Sequence, residues 1–450
     1  MNPEIVRSGS PNFKLWLKSL CERGSAEESG AEAAAAAIVK AVKERGDRAV
    51  IEFTERFDRI KLSVGKLRVS AAELKAARVA LKPEERRGLE LAARRIREFH
   101  LKTIERSFSY RDRIGVRLGQ VVRPLERVGI YVPGGQGAYP STVLMNAIPA
   151  RVAGVREVVM VSPGSADGER GAVLAAAAIA GVDEVYRIGG AQAVAALAYG
   201  TESIRPVDKI VGPGNAYVQA AKRMVYGVVD IDKVAGPSEV VVIADDHANP
   251  DWVAADLIAQ AEHGSGDEAA VLLTPSTKLA QAVGAALDRA LSDLPRAEAV
   301  RGVLTKRGGL VVVRDLNEAF AIANQIAPEH LELEIKNPAR WLGAVKSAGA
   351  VFLGGMSPAP LGDYVAGPNH VLPTGGAARF SSPLGAYDFV KRSSIIQATT
   401  EAVRRLGPSV ARLARMEGFE GHARAIELRL GQSNGGRQRR RISRGGKESN

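Results

Sequence analysis

Apolar positions in the first hundred residues recur at helical spacing, as in "AEAAAAAIVKAVKERGD" and "AAELKAARVALKPEERRGLELAARRIREFHLKT". From residue 127 the rhythm changes. Short β-branched runs, "RVGIYV", "EVVMVS", "EVYRIG", "DKIVGPG", "SEVVVIA", "AAVLLT", "GLVVV" and "AGAVFLG", alternate with alanine-rich helical stretches. Strands this short and apolar, joined by helix-length connections, predict parallel sheets covered by helices on both faces. The fold class is therefore α/β. An internal echo, "EVVMVS" to "AQAVAALA" against "EVVVIA" to "LAQAVGAAL", suggests a duplicated half-sheet. Gly-Pro turns near "VGIYVPGG" and "AGPSEVVV" mark the unit boundaries, and beyond residue 382 two further helical stretches form a separate segment.

With 450 residues, 46% hydrophobic and 25% charged, the chain can build more than one core. No apolar run is long enough for a membrane span, and the N-terminus "MNPEIVRSGSPNFKLW" lacks an export signal, so the cytoplasm is the expected location. A single cysteine, Cys21, excludes an internal disulfide. The net charge of +12 raises the question of nucleic acid. Residues 431–450 hold five Arg and one Lys against one Glu, so +5 of that charge sits in the tail. Rich in Gly, Ser and Arg, the tail reads as disordered, and without aromatic stacking residues it predicts no specific nucleic-acid partner.

Two glycine-rich turns precede helices: "YVPGGQGAYPSTVLMNAIPARVAG", with Ser141 as the expected cap, and "IVGPGNAYVQAAKR", with Asn215 near the helix start. Either could offer backbone N–H groups to a phosphate, and either could be a tight structural turn, since neither spells GxGxxG. Of six histidines, His100 and His247 read as exposed bystanders. Gln260 and His263 share one face at the end of a helix begun by Asn249 and Pro250. Asp363 and His370 lie in the loop "PLGDYVAGPNHVLPT", and Glu417 and His422 open the last helix. Gln260, His263, Asp363 and His422 form a credible ligand set for zinc, or else scattered polar residues. In "IAPEHLELEI", Glu329 and His330 enter an alternating strand; an imidazole suits proton removal from an alcohol and a carboxylate suits activation of water.

Taken in order, "VGIYVPGG", "GGAQAVAALAYGT", "KIVGPGNAYV", "AGPSEVVVIAD", "DLIAQAEHG", "APEHLEL", "GDYVAGPNHVLPTGG" and "SSPLGAYDFVKR" resemble the histidinol dehydrogenase family over about residues 20 to 430. The resemblance implies two incomplete Rossmann-like units in an intertwined homodimer with shared active sites. Expected segments are an N-terminal helical piece at 1–24, a first domain at 25–128 with 240–381, an NAD-side domain at 129–239, a helical segment at 382–430 reaching the partner, and the tail at 431–450. It also implies one zinc per subunit held by Gln260, His263, Asp363 and His422, with the last, like Glu417, serving the neighbouring subunit. His330 would be the base for the alcohol and Glu329 the activator of water as two NAD oxidise L-histidinol to L-histidine. Ser238, His370 and Glu417 match substrate-contacting positions, together with His330 and the zinc-binding residues, and Tyr131, Gln192 and Asn215 match nucleotide-contacting ones. Competing readings are a zinc- and NAD-dependent dehydrogenase of another polar alcohol, a zinc hydrolase, and a basic nucleic-acid-binding protein.

Overall fold

The protein is described as a computed structural model covering residues 5–22, 29–134, 137–164, 171–262 and 266–442, with 432–442 as backbone only. The chain divides into two compact units, one of residues 1–104 and 124–389 and the other of residues 105–123 and 390–450. The first holds two parallel sheets. The smaller comprises Arg127–Tyr131, Glu157–Val161, Glu184–Tyr186, Lys209–Val211 and Asp230–Ile231. The larger comprises Glu239–Ala244, Ala269–Thr274, Gly309–Val312, His330–Glu334 and Ala350–Leu353, with Ile5–Arg7 added at one edge.

With the edge strand Ile5–Arg7 set aside, and numbering from Arg127–Tyr131 and from Glu239–Ala244, both sheets run in the order 3-2-1-4-5, so the echo in the sequence corresponds to one winding used twice. Strands 1 and 4 are neighbours in both, Arg127–Tyr131 beside Lys209–Val211 and Glu239–Ala244 beside His330–Glu334. Connections leave in opposite directions from that pair, which opens a crevice between them.

Helices cover both faces because the strands are apolar on both. Gly190–Tyr199 is buried continuously from Ala191 to Ala198, as a helix apolar all round must be. Asn249 caps Pro250–Ala261 by accepting from the Asp251 N–H, and Pro250 fills the first turn, as the sequence predicts. Ser141 is not the cap of its helix. That helix spans Pro140–Ala153 with Tyr139 at the cap position and no side-chain cap bond, because Pro140 already occupies the first turn.

Three further differences concern packing. Residues 29–101, grouped in the sequence with 240–381, pack on the smaller sheet, where Val39, Val50, Leu67 and Ile96 join its core. The N-terminal segment supplies a strand as well as the helix Pro11–Cys21, and both belong to the larger sheet. His100 is not an exposed bystander: it is 1% exposed, its ring nitrogens lack partners among the described residues, and burial pushes it down to about 4. It lies on the inner face of the helix Pro83–Leu101, which sequence pattern alone reads as charged.

The second unit holds a three-stranded sheet, Phe108–Arg111, Arg117–Pro124 and Val390–Gln397, with the helices Thr400–Met416 and Glu420–Ile442. Ala411, Ala414 and Ala423 pack where the two helices meet. The last helix continues past residue 430, where the sequence places the start of a tail.

One ion cluster closes the amino edge of the smaller sheet. Arg127, with an 8% exposed side chain, pairs with Glu157 and Glu184, which open the next two strands on one side. Arg127 holds the Glu157 carboxyl down to about 2. A carboxyl held below its ordinary value stabilises the fold at neutral pH, and that contribution fades as pH falls from about 4.5 to about 2. Arg127→Met, which removes the buried cation shared by two carboxylates and leaves them only the more exposed Arg68, Arg156 and Arg205, is expected to lower unfolding free energy by about 3 kcal/mol in urea titrations at neutral pH. The deficit should shrink toward pH 2 as Glu157 protonates; an unchanged urea midpoint at pH 7 would contradict the assignment.

Candidate active site

A cleft of about 550 Å³ joins the carboxyl edge of the smaller sheet to the amino edge of the larger. Gly212, Pro213 and Gly214, directly after strand 4 of the smaller sheet, form one wall. Ser238, Glu329 and His330, at the entries of strands 1 and 4 of the larger sheet, form the opposite wall. Asp363 and His370 reach it from the segment that follows Ala350–Leu353. Five of the residues singled out in the sequence thus share one cavity.

Its centre is a buried hydrogen-bond network that sequence pattern does not reveal. The Glu239 N–H donates to Glu329 Oε2 at 3.1 Å, and the Glu329 N–H donates to Glu239 Oε2 at 3.2 Å. The Gly375 N–H donates to the other Glu239 oxygen. His330 lies between acceptors, Nε2 at 3.2 Å from Asp363 Oδ1 and Nδ1 at 3.3 Å from the Glu239 carbonyl. Burial would depress the imidazole, but Glu329 and Asp363 outweigh it and hold it up at about 9. Burial pushes the Glu329 carboxyl up to about 7 against the pull of His330. Two residues earlier, Ala327 is in the left-handed region at φ 50°, a conformation that costs a non-glycine residue about 1 kcal/mol. The chain turns there from the helix Leu316–Ile326 into the strand His330–Glu334, so the strain sits where Glu329 and His330 are aimed.

Asp363 belongs to a π-helical turn, Gly362–Ala366, inside what the sequence reads as a loop. Arg95 closes this turn by donating from Nε to the Val365 carbonyl at 2.7 Å and from Nη2 to the Ala366 carbonyl at 3.1 Å. His370 donates from Nδ1 to the Asp363 carbonyl at 2.8 Å, and its Nε2 lies 3.5 Å from the Thr142 hydroxyl. Gln260 is buried at the end of its helix, and its Nε2 has no partner among the described residues. It does not line the cleft, and the unpartnered atom is a hydrogen-bond donor, whereas a cation would need the amide oxygen. His263 lies outside the described residues. Glu417 and His422 are exposed in the second unit, where His422 stacks on Phe419.

A different acidic group was not foreseen. Ligand atoms of Asp256, Glu332 and Glu334 lie within 4.8 Å of one another, close enough for a metal ion. The alternation "HLELE" suggests that these glutamates face water, but strand 4 is interior to the larger sheet and all five residues are buried. Burial pushes Glu332 and Glu334 up to about 8, so at neutral pH the group holds protons and its oxygens can bond one another.

At the smaller sheet's carboxyl edge, the Tyr131 hydroxyl accepts from the Gly190 N–H at 3.1 Å. Gln192, 1% exposed, has both amide atoms unpartnered among the described residues. Asn215 is exposed and caps its helix by accepting from the Val218 N–H at 3.1 Å. Tyr131 ends strand 1, and Gln192 and Asn215 follow strands 3 and 4, around the crevice where α/β sheets hold nucleotides. An orphaned amide and a glycine turn there fit a polar ligand lying along the edge.

Comparison with known proteins agrees with this geometry. A family model described as "Histidinol dehydrogenase" matches residues 21–430. The chain is 52% identical over 433 residues to the histidinol dehydrogenase of Cupriavidus pinatubonensis, covering 95% of this chain and 97% of the relative. It is likewise 52% identical over 431 residues to that of Aquifex aeolicus, covering 95% and 99%. A crystal structure of histidinol dehydrogenase from Elizabethkingia anophelis superposes with a TM-score of 0.90 at 36% identity, covering 96% of this chain and 99% of that one. With the matched segment spanning nearly every element that builds the cleft, the chain belongs to the histidinol dehydrogenase family.

Proposed function

We propose that the cleft oxidises L-histidinol to L-histidine through L-histidinal, consuming two NAD and one water. The observation that carries this reading is the single cavity in which Glu329, His330, Asp363 and His370 face the Gly212–Gly214 turn. A base, a carboxylate and a nucleotide-edge turn are what a two-step alcohol and aldehyde oxidation requires.

Gln260, His263 and Asp363, with His422 of the partner subunit, would hold zinc. Bound there, the metal supplies a fixed positive centre for the amine and imidazole nitrogens of the substrate, and orientation of that kind can lower a barrier by about 7 kcal/mol. The Asp363 carboxylate lining the cleft supports that set. Ser238, His370 and Glu417 of the partner subunit would orient the substrate, and the dimer follows from their sharing one site. Tyr131, Gln192 and Asn215 would contact NAD, which when bound takes up hydride. The proposed setting is the cytoplasm.

His330 removes the alcohol proton in the first oxidation. Were Asp363 to bind the metal, it would no longer hold a proton on Nε2, and Glu329 would remain as the carboxylate beside the ring. Glu329, adjacent in sequence but turned toward Glu239, takes a proton from the water that adds to the aldehyde. The two residues therefore act on different oxygens in different steps.

Three results are expected. Purified protein given histidinol and NAD should yield two NADH per histidine; absence of turnover with histidinol rules the reading out. His330→Asn should slow turnover roughly 10³-fold while zinc, measured by metal analysis, stays bound, whereas His263→Asn should lose the metal. With histidinal as substrate, oxidation should decline below pH about 7 as Glu329 protonates. Glu329→Gln should slow that step about 10²-fold at pH 8, and a rate equal to the parent's would remove Glu329 from the hydration step.

A further inference from the structure

Beneath the Gly212–Asn215 turn lies an ion pair that neither the catalytic network nor the metal set uses. Lys222 and Asp232 pair directly, with side chains 0% and 1% exposed. Lys222 also donates to the Gly212 carbonyl at 2.9 Å, and Asp232 accepts from the Gly212 N–H at 2.9 Å. Both polar groups of one residue are thus held by the two partners of one buried salt bridge.

Gly212 is fixed on its third side as well. Its φ is +113°, and a Cβ there would come within 2.2 Å of the Tyr131 carbonyl oxygen. Two residues on, Gln219 donates to the Gly214 carbonyl at 3.2 Å and accepts from the Ala235 N–H at 3.0 Å. The turn is therefore bound to strand 1 of its sheet, to the helix Ala216–Val225 and to the segment leading to Ser238. A matched apolar pair would stabilise a core as well as a buried salt bridge does. What an apolar pair cannot supply is the two directional bonds to Gly212.

We propose that Lys222 and Asp232, assisted by Gln219, are positioning residues that set the Gly212–Asn215 turn to receive the dinucleotide at the smaller sheet's crevice. The inference rests on the NAD-binding reading above. Because the pair bonds the Gly212 backbone rather than a residue assigned to the metal or to proton transfer, although Asp232 also lines the cleft, its loss weakens NAD binding selectively. Removing one partner alone would strand a buried charge, so the informative change neutralises both.

The test uses the full-length, zinc-loaded protein with NAD as the probe. Lys222→Met combined with Asp232→Asn is expected to raise the calorimetric Kd for NAD at least tenfold and to raise KM for NAD in parallel. The KM for histidinol, and kcat at saturating NAD, should stay within twofold of the parent. Gln219→Met, which introduces no charge change, should raise the NAD Kd several-fold and decides the matter alone if the paired variant does not fold. Folded variants that bind NAD within twofold of the parent overturn the proposal, as does a parallel rise in both KM values, which marks general loosening. Failure of the parent itself to bind NAD is a separate outcome that overturns the nucleotide reading and this inference with it.

Discussion

The site depends on one buried imidazole with an acceptor at each ring nitrogen. His330 bonds the Asp363 carboxylate through Nε2 and the Glu239 carbonyl through Nδ1, so its plane is fixed before any ligand arrives. Each of those contacts is itself constrained. Asp363 is held by a π-helical turn that Arg95 closes, and Glu239 exchanges backbone bonds with Glu329. A ring left free in so dry a setting would lose its charge; here neighbouring carboxylates keep it, at about 9. The resulting tension between burial and charge is typical of groups that exchange protons.

The same winding used twice explains why one cleft can serve two ligands. Both sheets follow the order 3-2-1-4-5, yet the smaller presents its carboxyl edge to the cleft and the larger its amino edge. The carboxyl edge offers glycine turns and helix starts, which suit a nucleotide. Strand entries offer side chains aimed by the preceding turn, which suit proton transfer. Arg127 with Glu157 and Glu184 occupies the amino edge of the smaller sheet, so that edge is spent on stability.

Much of the fold is legible in the sequence because its signals are local. Short β-branched runs and the Asn249 cap each act within a few residues, and the structure follows them. What escapes local reading depends on the third dimension. His100 sits on a helix rich in charge, yet its face is the inward one. Glu332 and Glu334 alternate like a surface strand but occupy an interior one. Glu239 shows only as a charge entering the apolar run "EVVVIA", and Arg95 gives no signal at all, since its partners are carbonyls 270 and 271 residues away. The meeting of Ser238, Glu329, His330, Asp363 and His370 was legible only through resemblance to whole motifs; spacing alone left it open.

Asp256 and Gln260 occupy one face of a single helix, one turn apart. The first is pinned among acids in the sheet interior, and the second is buried with its amide nitrogen unpartnered among the described residues. The helix is thus a short lever whose fulcrum is a proton-sharing trio. Loss of one of those acids is therefore felt one turn along the same helix, at a residue outside the trio.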